Sequence, residues 1–215
     1  MIGDTTRGLS GLVAALLVSA CGSAPATSDG PERPQPVGQQ GDEALPPPGY
    51  GTLREDNFTV SLQSGQVQVK VTPLAESVIR LAAPDTYQRL HRLVESRSER
   101  IRQLAQRNGL REDPLVMQVS FFTRDVQSAF EPTNLTVLSE GIQYRPIAIL
   151  PITPDWGREQ LKQQEVQRAL YLFNPGINLE VAFQVDYRGT ISRGWGNIIP
   201  TLEAERGRVL SRARR

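Results

Sequence analysis

The sequence has very little cysteine, histidine or lysine. Its 215 residues include one cysteine, Cys21, and one histidine, His91. A single cysteine cannot form a disulfide within the chain, and a single histidine cannot build a histidine-rich metal centre. Catalytic arrangements that depend on histidine can use only His91. Since no other catalytic signature is present, we predict no metal site, no cofactor and no enzymatic activity.

The charges almost cancel, but the basic residues are nearly all arginine. The formal net charge is +1, and only Lys70 and Lys162 are lysines among 24 basic residues. The overall charge therefore does not indicate a nucleic acid partner. Residues 80–111 contain eight arginines and three acidic residues, and residues 206–215 contain five arginines and no acid. The first cluster is either a binding surface for an anionic partner or a solvated helix face with local charge pairs. The second repeats the basic bias, and its alternative is a frayed basic terminus, which is favourable at the C-terminal end of a helix.

Long hydrophobic runs are also missing. The longest apolar stretch, residues 9–20, reads LSGLVAALLVSA. It is too short to span a bilayer well, since a spanning helix needs about 20 apolar residues. Its length is typical of the hydrophobic region of a secretory signal peptide.

The residues that follow this run give the first resemblance. The stretch Leu17-Val18-Ser19-Ala20-Cys21 resembles the lipobox of bacterial lipoproteins, in which a small residue precedes the cysteine. The resemblance implies that residues 1–20 are a signal peptide, that cleavage precedes Cys21, and that Cys21 is the lipid attachment site. Gly22 stands where an inner-membrane retention signal typically has Asp, which implies the periplasmic face of the outer membrane in a two-membrane cell. The alternative is an ordinary secretory signal with a chance cysteine.

Residues 21–51 indicate a tether. This stretch holds seven prolines and almost no large apolar side chain. Such a composition cannot bury enough surface to offset the entropy of ordering the chain. We therefore predict a lipidated cysteine and a disordered proline-rich tether over 21–51, followed by one folded domain over 52–215.

Hydrophobic periodicity in the folded domain predicts mostly strands. Apolar and polar residues alternate, or form short apolar runs, in seven segments: 58–62, 66–71, 115–123, 135–138, 142–152, 165–173 and 179–187. A helical period predicts an insertion over about 74–108 and a C-terminal helix over about 197–214. Because few helices separate successive strands, a parallel sheet is not expected. We predict a mainly β, α+β fold: an antiparallel immunoglobulin-like β-sandwich of about seven strands, with a helical insertion and a C-terminal helix.

A second resemblance covers less than half of the chain. The stretches 121–124 (FFTR), 130–132 (FEP), 144–146 (YRP) and the region of Trp195 resemble uncharacterised bacterial lipoproteins with a β-sandwich core. This resemblance implies a fold and no activity.

These patterns lead to a binding protein rather than a catalyst. We expect a membrane-anchored envelope lipoprotein whose domain binds or assembles with a protein partner, with Trp156, Trp195 and Arg145 as candidate contacts. For Trp195 the alternative is packing at an end of the sandwich, and Trp156 lies in a predicted loop, where exposure would favour a contact role. Two other functions stay open: a small-ligand or glycan-binding lipoprotein that uses loop aromatics, and an envelope hydrolase with paired carboxylates. The carboxylates considered for the second are Asp125, Glu131, Asp155 and Asp186.

Overall fold

A computed structural model describes residues 45–215 of the chain. The predicted signal peptide, Cys21 and most of the predicted tether lie outside the described residues. Packing begins several residues before Thr52, since Pro46 and Gly51 are already buried.

The described residues form eleven β-strands and four α-helices. The strands are β1 (Val60–Ser64), β2 (Val67–Pro73), β3 (Leu115–Thr123), β4 (Gln127–Ala129), β5 (Leu135–Ser139), β6 (Ile142–Tyr144), β7 (Ala148–Pro151), β8 (Gln160–Lys162), β9 (Val166–Phe173), β10 (Phe183–Tyr187) and β11 (Thr190–Ser192). The helices are α1 (Glu76–Ile79), α2 (Pro84–Glu95), α3 (Ser98–Arg107) and α4 (Trp195–Ala213). Short 3-10 turns cover Glu55–Phe58, Pro132–Asn134 and Pro154–Arg158.

The strands pair into three antiparallel sheets. The largest has the order β1-β2-β3-β9-β7, the second has the order β11-β10-β5-β6, and β4 pairs with β8 in a small third sheet. The first two sheets share one hydrophobic core, so the arrangement is a β-sandwich to which helices are added. The predicted class, an α+β fold built on an antiparallel sandwich with a helical insertion and a C-terminal helix, is confirmed.

The structure has more strands than the roughly seven that the sequence predicts. The strands β4, β8 and β11 contain three residues each, which is too few for an alternating pattern to be recognised. The segment 142–152 divides into β6 and β7 on either side of Pro146, which cannot donate a ladder hydrogen bond. The predicted helical insertion over about 74–108 contains three helices, α1, α2 and α3. The last two are separate because Arg97 leaves the helical conformation, with φ −121° and ψ 4°.

An aromatic cluster fills the space between the two larger sheets. Phe121 of β3 lies 4.8 Å from Phe130 and 5.3 Å from Tyr187 of β10, measured between ring centroids. The tyrosine hydroxyls also fix the chain that follows Phe130. Tyr187 Oη accepts a hydrogen bond from the N–H of Glu131 at 2.9 Å, and Tyr171 Oη donates to the carbonyl of Pro132 at 2.8 Å. The FEP stretch therefore places one ring in the core and two backbone groups on buried tyrosines.

The helices α2 and α3 lie against the other face of the five-stranded sheet. Gln118 points away from the aromatic cluster, because side chains alternate along β3. Its amide donates to Glu55 at 2.9 Å, and Glu55 in turn pairs with Arg89 of α2 at 2.6 Å. The neighbouring helix α3 contacts β7. The helical insertion is therefore a cover on one side of the sandwich.

Candidate functional site

A groove lies between α1, the segment before β10 and one side of α4. Its volume is about 140 Å³. The apolar part is formed by the buried Val78 and Leu202 and the half-buried Leu179 and Ile199. Three charged side chains, Glu180, Glu203 and Arg206, also line it. We call this concavity the α1–α4 groove.

Helical spacing explains why α4 contributes four of the lining residues. Ile199, Leu202, Glu203 and Arg206 follow one another at intervals of three, one and three residues. Residues three and four apart lie on the same side of a helix. The early turns of α4 therefore present two apolar side chains to the groove, with charged side chains beside them.

The guanidinium of Arg206 is the unusual group in this groove. Its Nη1 lies 3.6 Å from Glu180 Oε1, and its side chain is 26% exposed. Its Nε is buried and finds no hydrogen-bond partner among the described residues. A buried donor without an acceptor is unfavourable, typically by about 1–3 kcal/mol. Arg206 therefore brings a partly exposed guanidinium to the groove, while its Nε remains an unsatisfied buried donor among the described residues.

A buried carboxylate joins the middle of α4 to the start of the described chain. The Glu205 side chain is fully buried. Its Oε1 accepts hydrogen bonds from the N–H and hydroxyl of Thr52 at 3.0 and 2.9 Å and from Arg212 at 3.0 Å, and its Oε2 accepts one from Arg208 at 3.2 Å. Burial raises the pKa of Glu205, but the bonds from Arg212, Thr52 and Arg208 outweigh it, so the pKa lies below its usual value. The carboxylate is therefore charged near neutral pH and fixes the chain at Thr52.

Gly51 makes the same junction sterically tight. A Cβ atom at this position would lie 2.2 Å from the backbone carbonyl of Leu81, so a side chain cannot be accommodated without a backbone shift. Two residues later, the N–H of Leu53 donates to the carbonyl of Leu81, and the carbonyl of Leu53 accepts from the N–H of Ala83. The segment that leads into the domain is therefore fixed between the α1–α2 connection and α4.

The lone histidine takes part in a charge cluster between α1 and α2. Glu76 accepts a hydrogen bond from Arg80, and its other oxygen lies 2.7 Å from His91 Nδ1. Burial raises the pKa of Glu76, but the hydrogen bonds from Arg80 and His91 lower it by more. The pKa of Glu76 therefore lies below its usual value. The His91 side chain is 41% exposed, and the cluster joins the two helices.

The structure places the three predicted contact residues in different surroundings. Trp156 is 7% exposed and packs against Phe130 at 5.2 Å. Trp195 is fully buried, stacks on Phe183 at 4.8 Å, and donates its indole N–H to the carbonyl of Leu179. Both indoles thus occupy the core, which supports the packing alternative for Trp195 and does not give Trp156 the exposure that a contact role would favour. Arg145 is exposed in the connection between β6 and β7.

Three of the four carboxylates considered for a hydrolase have local partners. Asp155 pairs with Arg158 at 3.3 Å, and Glu131 pairs with Arg188 at 3.7 Å. Asp186 accepts a hydrogen bond from the N–H of Gly189 at 2.9 Å. These contacts are the ordinary ones of turns and surface ion pairs.

Sequence reasoning did not identify the α1–α4 groove or Glu205. A signal for Glu205 was present, since it falls between Leu202 and Val209 on the inward side of the C-terminal helix. An acidic residue at such a position indicates a buried, paired charge. The groove had no comparable signal, because its walls come from three separated parts of the chain.

Within residues 45–215, the histidine, aspartate and glutamate side chains form no group of three or more that could hold a metal ion. Over the same residues, no helix has the length and apolar character needed to cross a bilayer.

The chain was compared with known proteins by family, by curated sequence and by solved structure, and no family model, curated protein or solved structure matches it.

Proposed function

We propose that this chain is a lipid-anchored protein of the bacterial cell envelope, without enzymatic activity, whose sandwich domain binds a protein partner. The lipobox resemblance at Cys21 supports the anchor, and by the same resemblance the periplasmic face of the outer membrane is the favoured location. The observation that carries the binding role is the α1–α4 groove, with its apolar lining and the partly exposed guanidinium of Arg206.

The dimensions of the groove favour a protein side chain over a free ligand. Sites for drug-sized molecules usually enclose roughly 300–1,000 Å³, whereas the α1–α4 groove holds about 140 Å³. The burial of Trp156 and Trp195 also removes the aromatics on which ligand binding was to depend. An apolar side chain of the partner would contact Ile199 and Leu202, and a neighbouring main-chain carbonyl would accept a hydrogen bond from the partly exposed guanidinium of Arg206. The exposed carboxylates of Glu180 and Glu203 would form ion pairs with a basic residue that neighbours this apolar side chain in the partner.

A negative charge introduced into the apolar part of the groove should weaken the capture of the partner protein. We expect Ile199→Glu to reduce the amount of protein crosslinked in intact envelopes by about tenfold, equivalent to about 1.4 kcal/mol of binding. The reason is that a carboxylate in the apolar part cannot be desolvated without a partner. The measurement is crosslinking in intact cells, followed by pull-down and quantitative mass spectrometry.

The matched control for this experiment is Ile191→Glu. Ile191 lies on β11, is 54% exposed, and does not line the groove. This variant should capture the same proteins as the wild type. Capture that survives Ile199→Glu in a folded protein would remove the groove from the binding role, and a reproducible lack of any captured protein would overturn the proposed partner itself. Circular dichroism of both variants establishes that they fold.

The anchor is tested separately at Cys21. We expect Cys21→Ala to move the protein from the membrane pellet to the soluble fraction of lysed cells, because stable anchoring depends on the acyl chains. Mass spectrometry of the N-terminal peptide should show acylated Cys21 in the wild type. The control is Ser23→Ala, which leaves the lipobox intact and should stay in the pellet. A wild-type Cys21 without acyl chains would contradict the anchor, and so would a Cys21→Ala protein that has lost residues 1–20 and still sediments with membranes in about 1 M salt.

A further inference from the structure

A second surface of α4 is strongly basic. Arg208, Arg212 and Arg215, with Gly207 and Ser211, line a broad open concavity along the last turns of the helix. Arg208 and Arg212 are four residues apart and lie on one side of the helix, and Arg215 follows the end of the helix and lines the same concavity. At 100° per residue, this side is turned by well over a quarter of the helix circumference from Ile199 and Arg206. We call it the α4 arginine face, and it is distinct from the α1–α4 groove.

Among the described residues, Arg208 and Arg212 leave most of their guanidinium N–H donors without a hydrogen-bond partner. Arg208 and Arg212 each use one nitrogen on Glu205, while their side chains are 63% and 40% exposed. A guanidinium has five N–H donors in a planar fork that fits two phosphate oxygens at once. Glu205 therefore holds two guanidinium groups in place, and it does so without consuming their capacity for an anion.

The start of the described chain runs beside this face. Arg212 Nη1 donates to the backbone carbonyl of Tyr50 at 2.5 Å, and Thr52 is bonded to Glu205. The Tyr50 side chain is 46% exposed, and that of Leu45 is 48% exposed. Tyrosine with arginine is a combination that suits the boundary between lipid and water, where an aromatic ring enters the headgroup layer and cations pair with phosphates.

The remaining chain begins at the same place. Leu45 is separated from Cys21 by 24 residues along the sequence. The tether predicted from the composition of this stretch would have a root-mean-square span of about 27 Å. An anchor at Cys21 would therefore keep this part of the domain within a short distance of the bilayer.

We propose that the α4 arginine face, together with Tyr50, binds the anionic headgroups of a phospholipid surface and holds the domain against the membrane. The identity of that membrane as the one to which Cys21 is attached rests on the proposed function, whereas the headgroup contact does not. The arginines form paired hydrogen bonds to lipid phosphates, and the exposed ring of Tyr50 enters the headgroup layer. Binding in this orientation leaves the α1–α4 groove, on another side of the helix, accessible to a protein.

The test uses the full chain with Cys21→Ser, so that no acyl chain contributes. The protein is sedimented with vesicles of phosphatidylcholine alone and with vesicles of phosphatidylcholine mixed with phosphatidylglycerol. The apolar run at residues 9–20 can bind either vesicle, so the difference between them isolates the charge-dependent part. We expect binding to the anionic vesicles to be stronger, and to weaken when salt rises from about 0.1 M to 1 M, which shortens the Debye length from about 10 Å to 3 Å.

Two variants of equal charge locate the contact. Arg208→Gln/Arg215→Gln should weaken binding to the anionic vesicles by roughly 25-fold, since each arginine near such a surface contributes about fivefold. Arg100→Gln/Arg107→Gln removes the same charge from exposed positions of α3 and should change binding much less. Equal binding to both vesicle types, or an equal loss in both double variants, would overturn the proposal. Circular dichroism of the variants shows whether the fold is retained.

Failure of this proposal is distinguishable from failure of the anchor. Acylation of Cys21 is measured on protein processed in cells, whereas vesicle binding is measured on protein that cannot be acylated. An acylated protein whose arginine face ignores anionic vesicles would reject the headgroup contact and leave the anchor standing.

Discussion

Replacing Phe121 by alanine is expected to lower the free energy of unfolding by about 3–5 kcal/mol. Phe121 is fully buried at the centre of the sandwich. Its ring lies 4.8 Å from Phe130, 5.8 Å from Trp156 and 5.3 Å from Tyr187, so it contacts both sheets and the turn that carries Trp156. Truncation would leave a cavity that the surrounding rings of Phe130, Trp156 and Tyr187 cannot fill.

The next residue of the same strand provides a matched control. Phe122 points to the opposite face of the sheet and is only half-buried. The substitution Phe122→Ala should cost about 1 kcal/mol. Urea unfolding followed by tryptophan fluorescence and far-ultraviolet circular dichroism measures both variants. Equal losses of stability in the two would show that the aromatic cluster is not the main source of sandwich stability.

Replacing Glu205 by glutamine is expected to cost about 2 kcal/mol at neutral pH, the range for hydrogen bonds to a charged group in a buried place. Glutamine keeps the shape but loses the charge that accepts bonds from Arg208 and Arg212. The two arginines are partly exposed, so water can solvate them in the variant. This is why the expected loss stays below that for a fully buried ion pair.

The same substitution should have a distinctive pH dependence. The pKa of Glu205 in the folded protein is lower than its usual value of 4.5. A carboxyl group with a lowered pKa contributes its full stability above the usual value and loses it as the pH falls through the folded-state pKa. The difference in unfolding free energy between wild type and Glu205→Gln should therefore be constant from neutral pH to about pH 5, and should shrink at more acidic pH.

An exposed acid on the same helix is the control for this effect. Glu203→Gln should change stability by less than about 0.5 kcal/mol at any pH, since surface substitutions usually have small effects. Urea unfolding at a series of pH values measures both variants. A Glu205→Gln deficit that persists undiminished in strong acid would contradict a charge-based role for Glu205.

The elements that the sequence predicted best are those with long, regular patterns. The strand β3 spans the predicted residues 115–123, and the C-terminal helix differs from its prediction by two residues at the start and one at the end. Both contain enough residues for one face to be recognised from its apolar positions. The three-residue strands β4 and β8 are held by pairing with each other, which no local pattern reports.

The candidate sites were harder to predict than the fold. The tryptophans attract attention in a sequence because they are rare and large, yet both fill the core. The groove residue Arg206 looks like any other arginine of a basic C-terminus. Its distinguishing property is a buried Nε beside Val78 and Leu179, and that property depends on how distant segments meet.

Local periodicity by itself determined that this chain forms an antiparallel β-rich domain with a helical insertion and a terminal helix. Alternating and helical patterns of apolar residues indicate which face of each element is buried. The tertiary structure alone decided what those faces meet. Glu205 binds Thr52 across 153 residues of sequence, and the groove combines α1, the segment before β10 and α4. Such contacts arise from the packing of whole elements, and a pattern within one element contains no information about its neighbour.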